Sequence, residues 1–268
     1  MTGRRTATAT SMGTVMSIAA PADTDPEMFS AATQAAFTCL RHADDVFSPF
    51  KAASPISRIR DGRLPLADLA EHPDAAWIRE VLDICSALKA QTGGAFDAWA
   101  VGDPPAFDPC GAVKGWAAEQ AGATLTAHGV TRHSLGAGGD VRVRGDCGDR
   151  PWRVGITDPH RPGRLLAVAE LRDGAVATSG TTERGAHIWD PKAGRPASYL
   201  SQVTVIGPSL TWADGYATAA MALGAQAFDW LSALAERTAY DALVVDRRTG
   251  VRWTPGMPKH VPALASAV

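Results

Sequence analysis

The chain has 268 residues, of which 46% are hydrophobic and 20% charged, with a formal net charge of -2. That is the composition of a soluble globular protein with enough apolar material for one large core or two small ones. No block of like charge stands out, which argues against a nucleic-acid groove or an anionic membrane surface as partner.

Cys39, Cys85, Cys110 and Cys147 are widely spaced and form no CxxC pair, so neither a structural zinc site nor a disulfide framework is expected. The first ten residues hold a basic pair, Arg4-Arg5, with no apolar core behind it. Ser17-Ile18-Ala19-Ala20 stops at Pro21, too short for a signal segment or a membrane span. The expected location is the cytoplasm, with no membrane anchor.

Taken in order, residues 11–20 alternate enough for a first strand, entered by Met12-Gly13-Thr14. Residues 25–46 place Phe29, Ala32, Ala36, Phe37, Leu40 and Ala43 at helical spacing. A polar loop, 47–58, carries Phe50 in its middle. A second helix over 77–91 ends at Thr92-Gly93-Gly94, followed by Ala95-Phe96-Asp97 and a loop over 102–109. A third helix starts at Gly111 and runs to Gln120, or on to Thr126.

Short strands are expected at 134–145 (a pair broken at Gly136-Ala137-Gly138-Gly139-Asp140), 152–157, 165–171, 175–178 and 202–206. A helix from Asp214 to the stop at Gly224, a helix over 228–237 and a hairpin, 242–246 with 251–254, close the chain. Helices early and late with short strands between them indicate an α+β fold rather than a doubly wound parallel sheet. No repeat or linker divides it.

Several motifs bear on chemistry. Asp214 and Thr218 are four residues apart, so they lie on one helix face, a turn apart, and Asp214 is expected in the first turn. Two readings stand. Asp214 favours the helix dipole while Thr218 packs inside, or the two oxygens form a corner for a hard divalent cation such as Mg2+. Asp108 precedes the third helix and Lys114 sits one turn inside it: a phosphate site, or an ordinary helix start with a surface lysine. The P-loop pattern is absent. The Gly136–Asp140 and Ser179–Arg184 segments are ligand contacts or plain turns. His187 precedes a Pro/Gly turn and is either a base near neutral pH or structural. Phe50 stacks on an aromatic ligand or plugs the core.

Together and in this order, these segments resemble the ApbE flavin transferases (FAD:protein FMN transferases). The matching stretches are Met12-Gly13-Thr14, 48–58, Thr92 to Asp97, Asp108 to Gly115, Ala137 to Asp140, Trp152 to Pro159, Ala177 to Arg184, His187 to Pro196 and Val203 to Gly224. The resemblance implies one ApbE-like domain over 1–268, with a mixed, mostly antiparallel sheet, flanking helices and a flexible stretch at 1–10. It implies a Mg2+-dependent transfer of the FMN half of FAD to a threonine or serine hydroxyl of an acceptor protein, with release of AMP. By the same resemblance Met12, Phe50, Ala95, Phe96, Asp97, Asp108, Lys114 and Ile188 contact FAD. Asp214, Thr218 and the Gly111 carbonyl hold the metal, Phe50 packs on a ring of FAD, and His187 takes the proton of the incoming hydroxyl.

The chain departs from the family pattern at Pro109-Cys110-Gly111, where Leu-Gly-Gly is usual, and at Arg60, where asparagine is common. Two other readings use the same residues: an FAD pyrophosphatase giving FMN and AMP, and a non-catalytic FAD-binding protein.

Overall fold

The computed structural model describes residues 3–181, 185, 188–247 and 250–266. It opens on a hairpin, β1 (Arg4–Ser11) and β2 (Thr14–Pro21), with Arg4 opposite Pro21 and Ser11 opposite Thr14. The stretch expected to be flexible is thus largely a strand, and the first strand of the sequence reading is the second of the fold. Alternating Thr and Ala suit a half-exposed pleat. Met12 and Gly13 close the turn at φ 53° and 68°. The left-handed region costs a residue such as methionine about 1–2 kcal/mol.

Helix α1 (Pro26–Phe47) starts at Asp25, whose side chain accepts the Met28 N–H at 2.8 Å, and buries the expected Phe29–Ala32–Ala36–Leu40–Ala43 stripe. The stretch read as loop ends in a short helix, α2 (Pro55–Arg60), with the Ser54 hydroxyl accepting from the Ser57 N–H at 3.0 Å. Then come α3 (Ala75–Gln91) and α4 (Cys110–Ala127). The strands β3 (His133–Ala137), β4 (Asp140–Arg144), β5 (Trp152–Thr157), β6 (Leu165–Leu171) and β7 (Gly174–Gly180) follow. After the short β8 (Trp189–Asp190) and β9 (Arg195–Pro196) come β10 (Leu200–Gly207), α5 (Leu210–Leu223), α6 (Ala227–Arg237), β11 (Asp241–Asp246) and β12 (Gly250–Trp253).

Eight strands form one sheet in the order β1-β2-β3-β4-β7-β10-β11-β12, and every pairing among the described strands is antiparallel. The α+β expectation holds. The middle of the sheet is buried on both faces. Ala175, Ala177, Val203, Val205 and Val244 point into the helical layer, while Val176, Ile206, Leu243 and Val245 point away from it. The second face is covered by the β5–β6 hairpin through Trp152, Val154, Ile156, Ala169 and Leu171, with Met257 and Val261 beside it. This is why β10 is buried at each of its positions, the polar Ser201, Gln202 and Thr204 included. Helix α4 lies inside the helical layer, with Ala117, Ala118, Ala121 and Leu125 fully buried. Trp116, on the same helix, meets Phe47 and Trp77 edge to face.

His133, at the start of β3, is buried, and its Nδ1–H donates to the Val130 carbonyl at 2.9 Å. Burial, aided by Arg142 and Arg144, pushes its pKa below the ordinary histidine value. The folded state therefore takes up a proton on this ring less readily than the unfolded chain does. As pH falls through about 6.5 the unfolded chain gains a proton that the native chain refuses, so stability present above that pH is lost below it. His133→Gln should flatten the decline of Tm between about pH 6.5 and 5; an unchanged slope would assign the acid sensitivity to other groups.

Candidate active site

The crossing of α4 and α5 builds the centre of the site. A Cβ on Gly115 would lie 2.5 Å from the Leu210 carbonyl oxygen and 3.0 Å from Asp214 Cβ, so only glycine permits this approach. Helix α5 begins at Leu210, one turn earlier than its sequence suggested. The Leu210 N–H donates to Glu119 Oε1 of α4 at 2.5 Å, a cap supplied by another helix. Asp214 consequently opens the second turn, not the first.

Asp214 is only 3% exposed, so it is no helix-surface group. Its Oδ2 accepts the Gly115 N–H at 3.0 Å and pairs with Lys114 Nζ at 3.1 Å. In a regular helix the Gly115 N–H points to the Gly111 carbonyl; here Asp214 Oδ2 also accepts from that donor. Gly111 also abuts the other expected oxygen donor. A Cβ there would sit 3.1 Å from Thr218 Cγ2, 3.6 Å from Thr218 Oγ1 and 3.1 Å from Phe96 Cε2. Ser179 Oγ, from β7, lies 3.4 Å from Thr218 Oγ1.

These groups border a cleft of about 700 Å³. Its walls include Ala95, Phe96, Asp97, Asp108, Gly111, Lys114, Ile188, Asp214 and Thr218, all singled out in the sequence. A further part of the wall is β5 and the turn after it, through Arg153, Gly155, Thr157 and Asp158. Asp97 is held by Lys89 at 2.7 Å and accepts the Trp99 N–H at 3.0 Å. Asp108 Oδ1 accepts the Cys110 N–H at 2.9 Å, satisfying a donor at the start of α4. The His160 N–H on Asp158 Oδ1 at 2.9 Å, with Arg161 beside it, holds the Asp158 carboxyl below the usual range against the effect of burial.

Two expected FAD contacts lie elsewhere. Met12 is partly buried against the helical core in the β1–β2 turn. Phe50 is 91% exposed and does not line the cleft, so its ring plugs no core. His187 lies outside the described residues, although its neighbour Ile188 is in the cleft wall. The sequence reading missed Asp140 as a site residue. It is 1% exposed, ion-pairs with Lys114, and accepts the Thr178 N–H at 2.8 Å. Its early signals were its place after two glycines and within the Ala137 to Asp140 stretch that resembles the family.

Two buried carboxylates thus share one ammonium. Among the described residues no three His, Cys, Asp or Glu side chains gather as a metal cluster. A cation here would draw on Asp214, the Thr218 hydroxyl and the Gly111 carbonyl. That all-oxygen set fits a hard ion such as Mg2+ and not a thiolate or imidazole metal. The net negative charge of the Asp140–Lys114–Asp214 group fits a cation as well.

Cys110 is exposed at the head of α4 and borders the cleft, whereas Cys85 is buried, its thiol pushed up to about 12 by burial and by Asp108 and Asp97. A thiol reagent should label Cys110 before Cys85 in the native protein, and a nucleotide in the cleft should slow that labelling. Peptide mapping of the labelled cysteines checks both, and equal rates with and without nucleotide would place the ligand elsewhere.

The sequence model of the ApbE family matches residues 101–243. The FAD:protein FMN transferase of Rhodobacter capsulatus is 37% identical over 161 residues, covering 57% of this chain and 30% of that protein. The enzyme of the same name from Treponema pallidum is 34% identical over 171 residues, 57% of this chain and 47% of that one. The matched stretches span less than half the length of these relatives. Among solved structures, the ApbE protein of Thermotoga maritima superposes with a TM-score of 0.80 at 21% identity, over 96% of this chain and 99% of that one. Flavin transferase ApbE of Vibrio cholerae gives 0.76 at 19%, over 97% and 100%. These likenesses establish the fold.

Proposed function

Since the chain belongs to the ApbE family, we propose that it is an FAD:protein FMN transferase, moving the FMN half of FAD onto a serine or threonine hydroxyl of an acceptor protein. The observation that carries this reading is the meeting of Asp214, Thr218 and Gly111 beside Lys114 at one wall of a cleft of about 700 Å³. That volume is in the range of pockets that enclose large ligands.

In this reading Ala95, Phe96, Asp97, Asp108 and Ile188 bind and orient FAD along the cleft. Lys114 offers a positive charge to the pyrophosphate. Asp214, Thr218 and the Gly111 carbonyl hold Mg2+, which when bound supplies charge neutralisation at the phosphates. The acceptor oxygen forms a bond to the FMN phosphorus, the bond from that phosphorus to the bridging oxygen breaks, and AMP leaves with that oxygen. His187 is the proposed acceptor of the hydroxyl proton; the place of Ile188 in the wall supports it. Met12 and Phe50 are proposed to contact FAD, with the exposed Phe50 ring packing on a ring of the dinucleotide.

Phe50 has little packing to lose in the free protein. Phe50→Ala is therefore expected to leave Tm unchanged and to weaken FAD binding by roughly 1 kcal/mol. Unchanged affinity in a fluorescence titration removes Phe50 from the site.

The function is tested by incubating the protein with FAD, Mg2+ and a candidate acceptor. Acid-stable flavin fluorescence on the denatured acceptor is the expected result. Free FMN and AMP alone would make the protein a pyrophosphatase, and intact FAD would make it a binding protein.

A further inference from the structure

The buried Asp140 has no part in the ligand set above, yet it touches the site's one lysine. It stands first in β4, where the β4–β7 ladder ends at the Val141–Val176 pair, while β7 runs on to Gly180. Past that end Asp140 Oδ1 takes the Thr178 N–H at 2.8 Å, standing in for the missing strand. The Oδ2 atom is buried and pairs with the Lys114 ammonium. Lys114 Nζ also reaches Asp214 Oδ2 at 3.1 Å.

An ammonium on Asp214 competes with any cation that needs the same carboxylate. With a second carboxylate to hold it, the lysine keeps a partner when Asp214 turns to an ion; without one, the ion must strip Asp214 of its counter-charge. A buried charge left alone is costly, so the lysine would not release Asp214 readily. We propose that Asp140 is a positioning residue: it holds and neutralises Lys114, and so leaves Asp214 available to a divalent cation. This rests on the reading of Asp214 as a cation ligand.

The test uses the full chain and Mn2+ as the probe, with bound and free ion separated by electron paramagnetic resonance. Asp140→Asn keeps an oxygen for the Thr178 N–H, so the strand end stays capped, but Lys114 then has Asp214 as its one carboxylate. Mn2+ binding should weaken about tenfold or more, the size of a lost charge partner in a partly buried group. Adding Lys114→Met to Asp140→Asn should restore the affinity to about the wild-type value, because the competitor is gone. A purely structural role, or Asp140 as a direct ligand, leaves the double variant as weak as the single one and overturns the proposal. So does an Asp140→Asn variant that binds like wild type. Thermal melts of both variants show that each is folded. If the wild-type chain itself takes up no Mn2+, the fault lies with the cation reading of Asp214, a different outcome from either failure of Asp140.

Discussion

Asp214→Ala is expected to cut FMN transfer about 10²–10³-fold and also to lower stability, both measurably. The first effect follows from its place at the head of the oxygen set. Removing one pre-organised electrostatic group from such a site typically costs about 10²–10³ in rate. The second follows from burial: the substitution takes the side-chain acceptor from the buried Gly115 N–H and deprives Lys114 of one of its two carboxylates. An unsatisfied buried donor costs about 1–3 kcal/mol. Read from the sequence alone, a ligand on a helix surface would be lost without harm to the fold; the buried position reverses that expectation. Asp214→Asn separates the two effects, since its amide oxygen still accepts from Gly115 while the charge is gone. Calorimetry on both variants without metal should show a clearly lower Tm for Ala and a smaller change for Asn. Equal melting of wild type and Asp214→Ala would mean that these hydrogen bonds do not support the helix crossing.

Gly115→Ala is the second large effect. The added methyl would sit 2.5 Å from a backbone oxygen, Leu210 O, and 3.0 Å from Asp214 Cβ. Neither is the free end of a flexible chain, so α4 and α5 must part. Overpacking of this kind costs about 1–3 kcal/mol, and the upper end applies where backbone must move. The same parting displaces Asp214 from the Gly115 N–H and Thr218 from Gly111, so activity falls together with Tm. A thermal melt with a transfer assay checks this, and an unchanged Tm would contradict the close crossing on which the site depends.

What the sequence revealed and what it hid divide along physical lines. Asp214 and Thr218 were readable because helical spacing is local: four residues always share a face. The strands β5 and β6 were readable because each is a short run bounded by turn residues, Asp149-Arg150-Pro151 before β5, Asp158 to Gly163 between them and Asp173-Gly174 after β6. Helix α2 carried a readable signal, Ser54 followed by Pro55, that was passed over within a polar stretch. The start of α5 was hidden because its cap, Glu119, is 91 residues away in the chain. Asp140 was hidden for a related reason. Its partner Lys114 lies on another element, and a carboxylate after two glycines looks the same whether it ends a turn or holds a buried ammonium. The Gly111 carbonyl came only from family resemblance, since no side chain marks a backbone ligand.

The most direct measurement is a mass-spectrometric search for peptides carrying FMN on serine or threonine, made in cells lacking this gene and complemented with wild type or with Asp214→Asn. The account predicts FMN-bearing peptides with the wild-type chain and their loss with the variant. Equal modification in both strains, or none in the wild-type strain, would contradict it.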